Sequence, residues 1–113
     1  ASSNFLELFF AILSGTLDSA SSNTGVGVGV FAALTSGDNN TAVGYATIPG
    51  ITSGDDNTAI GYNAGNSITT GRGNTLLGSG TTTSAVDASN QTAVGFNAAC
   101  EQNNEISLGN SSI

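Results

Sequence analysis

The sequence predicts an all-β protein: a parallel β-solenoid (β-roll) of five 17-residue coils plus a short closing coil, with an apolar amino-terminal segment. Three observations carry this reading. One phrase recurs, as Asn-Thr-Ala-Val-Gly-Tyr at 40–45 and Asn-Thr-Ala-Ile-Gly-Tyr at 57–62, with weaker copies at 23–28, 74–79 and 91–96. The copies begin at 23, 40, 57, 74 and 91, so every step is 17 residues, and Gly109 ends the series 14 residues after Gly95. A fixed period without insertions marks a repeat architecture. The unit is also too short for a helical hairpin, and its Gly, Asn, Thr, Val and Ala suit strands and turns.

Each element of the coil follows from a column of the repeat. Stacked at about 4.8 Å, five coils make a rod about 24 Å long, with residues 17 apart lying directly above one another. Val26, Val43, Ile60, Leu77, Val94 and Leu108 form an apolar column expected to line the core. Leu34, Ile51, Ile68 and Ala85 form a second one on another wall. Gly27, Gly44, Gly61, Gly78, Gly95 and Gly109 are expected where φ is positive or another backbone comes close. Gly37, Gly54 and Gly71 mark a second corner. Asn23, Asn40, Asn57, Asn74 and Gln91 make an amide ladder able to hydrogen-bond along the stack, with a threonine column (Thr24 to Thr92) beside it. Strict alternation places Thr41, Val43 and Tyr45 on one face and leaves open whether Tyr45 follows Val43 inward.

Residues 1–22 stand outside the repeat as an apolar capping or assembly segment and linker, and 23–113 form the solenoid domain. The segment carries Phe5, Leu6, Leu8, Phe9, Phe10, Ile12 and Leu13. Positions 5, 9, 12 and 13 suit a helix, whereas 6, 8, 10 and 12 suit a strand. The run is too short to span a bilayer and no basic stretch precedes it, so neither membrane insertion nor a signal peptide is expected. It either covers the open end of the first coil or inserts into a neighbouring copy. Within the domain, the single proline, Pro49, fits a turn or a solvent-facing edge. Coil four departs most from the pattern, with Leu76-Leu77 in place of Ala-Val and Thr81-Thr82-Thr83-Ser84 on its second wall.

The chemistry available is sparse. One basic residue stands against eight acidic ones, a net charge of −7, which argues against nucleic acid and against anionic lipid surfaces. The absence of histidine removes Ser-His-Asp and Cys-His nucleophiles and most zinc sites. Gly25-Val26-Gly27-Val28-Gly29 keeps the repeat phase and is a coil rather than a phosphate cradle. Asp38 and Asp55, one coil apart, are the best candidate carboxylate pair for glycosidase-type chemistry. They are also the third residues of repeated Ser-Gly-Asp corners, with Arg72 next in the column. Asp38, Asp55 and Asp56 could be read as calcium ligands, but their spacing matches no calcium loop. The expectation is therefore no catalytic residue, cofactor or metal. Cys100 reads as a small buried filler. Sequons place glycosylation acceptors at Asn39, Asn90 and Asn110, if the source organism glycosylates.

The repeated Asn-Thr-Ala-Val-Gly-Tyr phrase, the Ser-Gly-Asp corners and the closing Asn104-Glu105-Ile106-Ser107-Leu108-Gly109 resemble the head repeats of YadA-type trimeric autotransporter adhesins. They are also similar to repeats of viral and phage tail fibres. The resemblance spans 23–111 and implies three chains packed side by side in an extracellular fibre head. Two departures qualify it: a 17-residue unit where 14 to 16 is usual for that family, and no stalk or anchor after the repeats. Two functional expectations follow. One is a non-enzymatic structural subunit of a self-assembling extracellular or virion-surface fibre, a homo-oligomer joined through the amino-terminal segment. The other is a trimeric adhesin or tail-fibre head that binds a host-surface glycan or protein. The threonine column also suggests an ice-binding face, although the phrase lacks paired Thr-x-Thr.

Overall fold

A β-branched residue on either side of a small one favours extended backbone, and such triplets recur as six short strands. They are β1 (Thr24–Val26), β2 (Thr41–Val43), β3 (Thr58–Ile60), β4 (Thr75–Leu77), β5 (Thr92–Val94) and β6 (Ile106–Leu108). The structure, a computed structural model, describes residues 19–110; the run at 5–13, with its expected capping or assembly role, lies outside the described residues. All six strands are parallel in one sheet in sequence order. The register pairs Thr41 with Thr58 and Val43 with Ile60, a step of 17 residues, and Thr92 with Ile106 across the short last coil. No helix occurs among the described residues. The β-solenoid and its 17-residue coil are as the sequence predicts.

Backbone bonds between coils continue outside the strands. At the second corner the N–H groups of Thr35, Ser36 and Gly37 all donate to the Thr52 carbonyl, each at 3.1 Å. Those of Thr69, Thr70 and Gly71 converge in the same way on Val86. Three donors meeting one acceptor requires a tight corner, and the glycine makes it: a Cβ on Gly54 would lie 2.3 Å from the Gly71 carbonyl oxygen.

Left-handed backbone also runs in columns. Ser22, Asn39, Asp56, Gly73, Asn90 and Asn104 all have φ between 54° and 66°. Asn and Asp tolerate this conformation better than other non-glycine residues, so their recurrence was a readable signal. A second such column holds Gly29, Ala46, Asn63, Gly80 and Asn97. Ala46, at φ 51°, is the one member with a Cβ but no polar group for local bonding. Left-handed backbone costs a non-glycine residue about 1–2 kcal/mol, partly offset by the greater unfolded-state freedom of glycine. Ala46→Gly should raise stability by about 0.5–1 kcal/mol, read as a higher denaturant midpoint with unchanged slope.

The core corrects the facing of the sheet. Gly25, Ala42, Ala59, Leu76 and Ala93 point inward, each fully or almost fully buried. The column of Val26, Val43, Ile60, Leu77, Val94 and Leu108, expected to line the core, faces outward instead. Ile60 is 40% exposed and Leu108 72%. The cause is parity. Asn40, Asn57 and Asn74 are completely buried, and residues two apart on a strand share a face. Burying the amide at 40 therefore carries Ala42 inward and turns Thr41 and Val43 out. Ala suits that wall because Leu34, Ile48, Ile51 and Ile68 fill the interior from the others.

Where one wall changes size, another compensates. Gly25 stands in the alanine column, and a Cβ there would come within 2.9 Å of the Phe31 ring, so the first coil exchanges a methyl for an aromatic. In coil four Leu76 reaches across toward Gly65, where a Cβ would lie 2.7 Å from its Cδ1. Ala85 departs from its column: Leu34, Ile51 and Ile68 are buried as expected, whereas Ala85 is exposed. The longer Gln91 explains this. Its amide turns across the coil to accept from Ser84 N at 3.0 Å and donate to Ser84 Oγ at 2.6 Å. Thr83 is buried there and donates to the Ala85 carbonyl.

Candidate functional site

Two surfaces and one interior column hold the polar and exposed groups that could act. The interior column is the amide ladder. Asn57 Nδ2 donates to Asn40 Oδ1 (3.1 Å) and to the Gly71 carbonyl (2.8 Å). Its Oδ1 accepts from Asn74 N at 3.0 Å and Asn74 Nδ2 at 2.9 Å. The same set links Asn23 to Asn40 and Asn40 to Asn57. Among the described residues no buried side-chain nitrogen or oxygen lacks a partner. These amides are spent on one another and on the corner carbonyls, so they offer nothing to a ligand.

The acidic corner is likewise committed to the stack. Asp38 Oδ1 accepts from Ser21 N (2.7 Å) and Ser21 Oγ (3.0 Å), and Asp55 Oδ1 accepts from Asp38 N at 2.9 Å. Arg72 reaches Asp55 Oδ2 at 3.1 Å, with its own side chain 71% exposed. A pair so open to water contributes about 0–1 kcal/mol. Each carboxylate caps an amide of the preceding coil. The two are joined in series along the axis and do not face each other across a cleft, as a glycosidase pair would. Asp56 turns to Asn39, whose Nδ2 lies 3.2 Å from its Oδ1. Among the described residues no group of three or more metal-ligating side chains converges.

The sequons are distributed along one corner and the closing coil. Asn39 and Asn90 are exposed, and Asn90 Nδ2 donates to Asn104 Oδ1 at 2.8 Å. Asn110 is half-buried and donates to the Phe96 carbonyl; its sequon continues outside the described residues.

Cys100 is buried beside the closing coil, with Sγ 3.4 Å from the Thr92 carbonyl. Burial first, and the Glu105 carboxylate second, push the thiol above its ordinary value of 9.0. Because the fold holds the neutral thiol, that contribution is intact below the unfolded value and is lost as pH rises through the folded one. The denaturant midpoint should therefore fall on the alkaline side, starting near pH 9.0, and Cys100→Ala should flatten that limb. Thiol reagents should modify the native protein far more slowly than the unfolded chain.

The outward face of the sheet is the surface with most to offer. Its columns are the threonines, the Val/Ile/Leu series, and a third made of Val28, Tyr45, Tyr62, Ser79 and Phe96. Tyr45, Tyr62 and Phe96 are each more than half exposed, so the tyrosines follow the valines outward. The Tyr45 and Tyr62 rings stack with centroids 5.6 Å apart and planes 8° from parallel. Charge is absent from all these positions. Sequence reasoning named these residues but placed the central column inside, so it missed the face they make. The parity of the buried asparagines was the signal that could have found it.

At the closing coil a cleft is lined by Asn97, Ala99, Glu101, Glu105, Ser107, Leu108, Gly109 and Asn110. The Glu105 carboxylate there accepts from the Glu101 and Gln102 amides at 3.0 and 3.1 Å, which makes it a turn cap. No helix among the described residues is long and apolar enough to cross a membrane. Comparison of the chain with protein-family models, with curated proteins and with solved structures finds no match.

Proposed function

We propose that the chain is a non-enzymatic structural unit of an extracellular or virion-surface fibre, assembling with copies of itself through Phe5–Leu13. The observation that supports this best is the axial ladder. From Asn23 to Gln91 every coil binds the next through a buried amide, a strand register and a converging corner. The polar groups that could do chemistry, including Asp38 and Asp55, are bonded along the same axis. Such a unit resists extension and presents repeated surfaces, which is the work of a fibre. The resemblance of its phrases to adhesin and tail-fibre heads points the same way.

The test is negative-stain microscopy of the purified chain beside a variant lacking residues 1–13. Filaments from the full chain, and folded protein without filaments from the variant, support the reading. Compact particles from both would contradict it.

A second reading, a head domain that binds a host glycan, draws on the exposed Tyr45, Tyr62 and Phe96, since sugar sites commonly stack a ring against an aromatic face. The tyrosines turn one face each toward the other, so they offer a pyranose mainly their edges. Binding to a glycan array that Tyr45→Ala and Tyr62→Ala both abolish would favour this reading over the first.

A further inference from the structure

We infer that the outward sheet face is a docking surface for a second copy of this chain, which packs against it side by side. The inference rests on the fibre reading above and adds a lateral contact to it.

The face is apolar where a solvated sheet would be polar. An antiparallel or solenoid wall in water normally alternates apolar in and polar out. Here the outward series includes Ile60 at 40%, Leu77 at 46%, Leu108 at 72% and Phe96 at 67% exposure. Contiguous apolar patches of this kind on soluble proteins mark interaction surfaces.

Two features select a second copy as the occupant. The first is charge. With a net charge of −7, two copies repel each other wherever their acids meet. The outward columns of β1 to β6 carry no charged residue, while Asp38, Asp55, Asp56 and Asp87 stand elsewhere on the coil. The sheet is thus the face on which like-charged copies approach with least repulsion. The second is period. Side chains recur along this face once per coil, at about 4.8 Å, in flat ladders held by the strand register. A partner that interdigitates along the whole face needs the same spacing, and another copy of this chain has it.

The area sets the strength. Six strips at about 4.8 Å, three columns wide at about 7 Å, give a flat patch on the order of 340 Å². A standard interface buries about 800 Å² on each partner. Two single copies therefore meet weakly and reversibly, and the contact strengthens as units joined end to end bring more coils into register.

Sedimentation equilibrium over micromolar to sub-millimolar protein tests this, using the full chain and two double variants. One carries Ile60→Lys and Leu77→Lys, the other Ile60→Glu and Leu77→Glu. Both positions are exposed, so the fold should persist, with circular dichroism as the check. The expected result is concentration-dependent association of the wild type, weakened about tenfold or more in each variant and restored when the two variants are mixed in equal amounts. A wild type that stays monomeric, variants that associate like it, or a mixture that fails to recover would overturn the proposal. So would ice-crystal shaping that the same variants abolish without any association. Filament length in micrographs reports the end-on joint separately. Unchanged filaments from the charge variants, together with unchanged lateral association, would sink the lateral contact alone.

Discussion

Gly61→Val should all but abolish stable folding, the largest loss expected from a single residue in this chain. Gly61 has φ +132°, and a Cβ there would lie 2.7 Å from the Gly78 carbonyl carbon and 2.9 Å from Ser79 N. Both obstacles are backbone of the next coil, which cannot turn aside as a side chain can. Strained φ contributes about 1–3 kcal/mol and overpacking a similar amount, set against a total stability of about 5–15 kcal/mol. At about 4 °C per kcal/mol for a domain of this size, the melting temperature should drop by about 10–20 °C or the transition disappear. Gly73→Ala is the control. It has φ +66° but its nearest obstacle is 4.0 Å away, so it carries only the conformational part, about 1–2 kcal/mol.

Asn57→Leu should be nearly as damaging, although the two side chains are close in volume and the site is fully buried. Leucine would bring more apolar surface inside, yet it leaves Asn74 N, Asn40 Oδ1 and the Gly71 carbonyl without the partner each now has. A buried polar group stripped of its partner costs about 1–3 kcal/mol. With three such groups at stake and part of the loss recovered as burial, a net of about 3–5 kcal/mol is expected. Thr58→Val, beside it but facing water, should change the denaturant midpoint little, within about 0.5 kcal/mol. A large shift for Thr58→Val and a small one for Asn57→Leu would mean that the inside and outside of β3 have been exchanged.

The contrast between those neighbours shows how far the sequence could be read. The period of 17, the parallel register, the glycine column and the amide ladder were legible because each repeats without slip. The orientation of the strand was harder. Hydrophobicity assigns Val43 inside over Ala42, and that ordering fails because Leu34, Ile48 and Ile51 already fill the interior from other walls. The decisive fact was the burial of Asn40, which no hydropathy scale favours and which pays its way through hydrogen bonds. Exceptions such as Gly25 beneath Phe31, or Leu76 beside Gly65, are pairs from different walls. They share no column, so a repeat alignment does not bring them together. The uncharged outward face follows from the same inversion and stayed hidden with it.

The acidic corner was legible in its dull version. Asp38, Asp55 and Arg72 do stack as the column implies. What the sequence could not give was the direction of each carboxylate, along the axis toward a backbone amide and away from a shared cleft.

Single-cysteine labelling across β3 tests the central claim, that this solenoid turns its alanine column in and its larger aliphatic column out. Ala59→Cys and Ile60→Cys are compared at protein concentrations low enough for a monomer, with a charged maleimide and with buried Cys100 as the internal slow reference. The prediction is rapid modification at position 60 and protection at position 59 close to that of Cys100. Rapid modification at 59 with protection at 60 would contradict the inward alanine column and the docking face together.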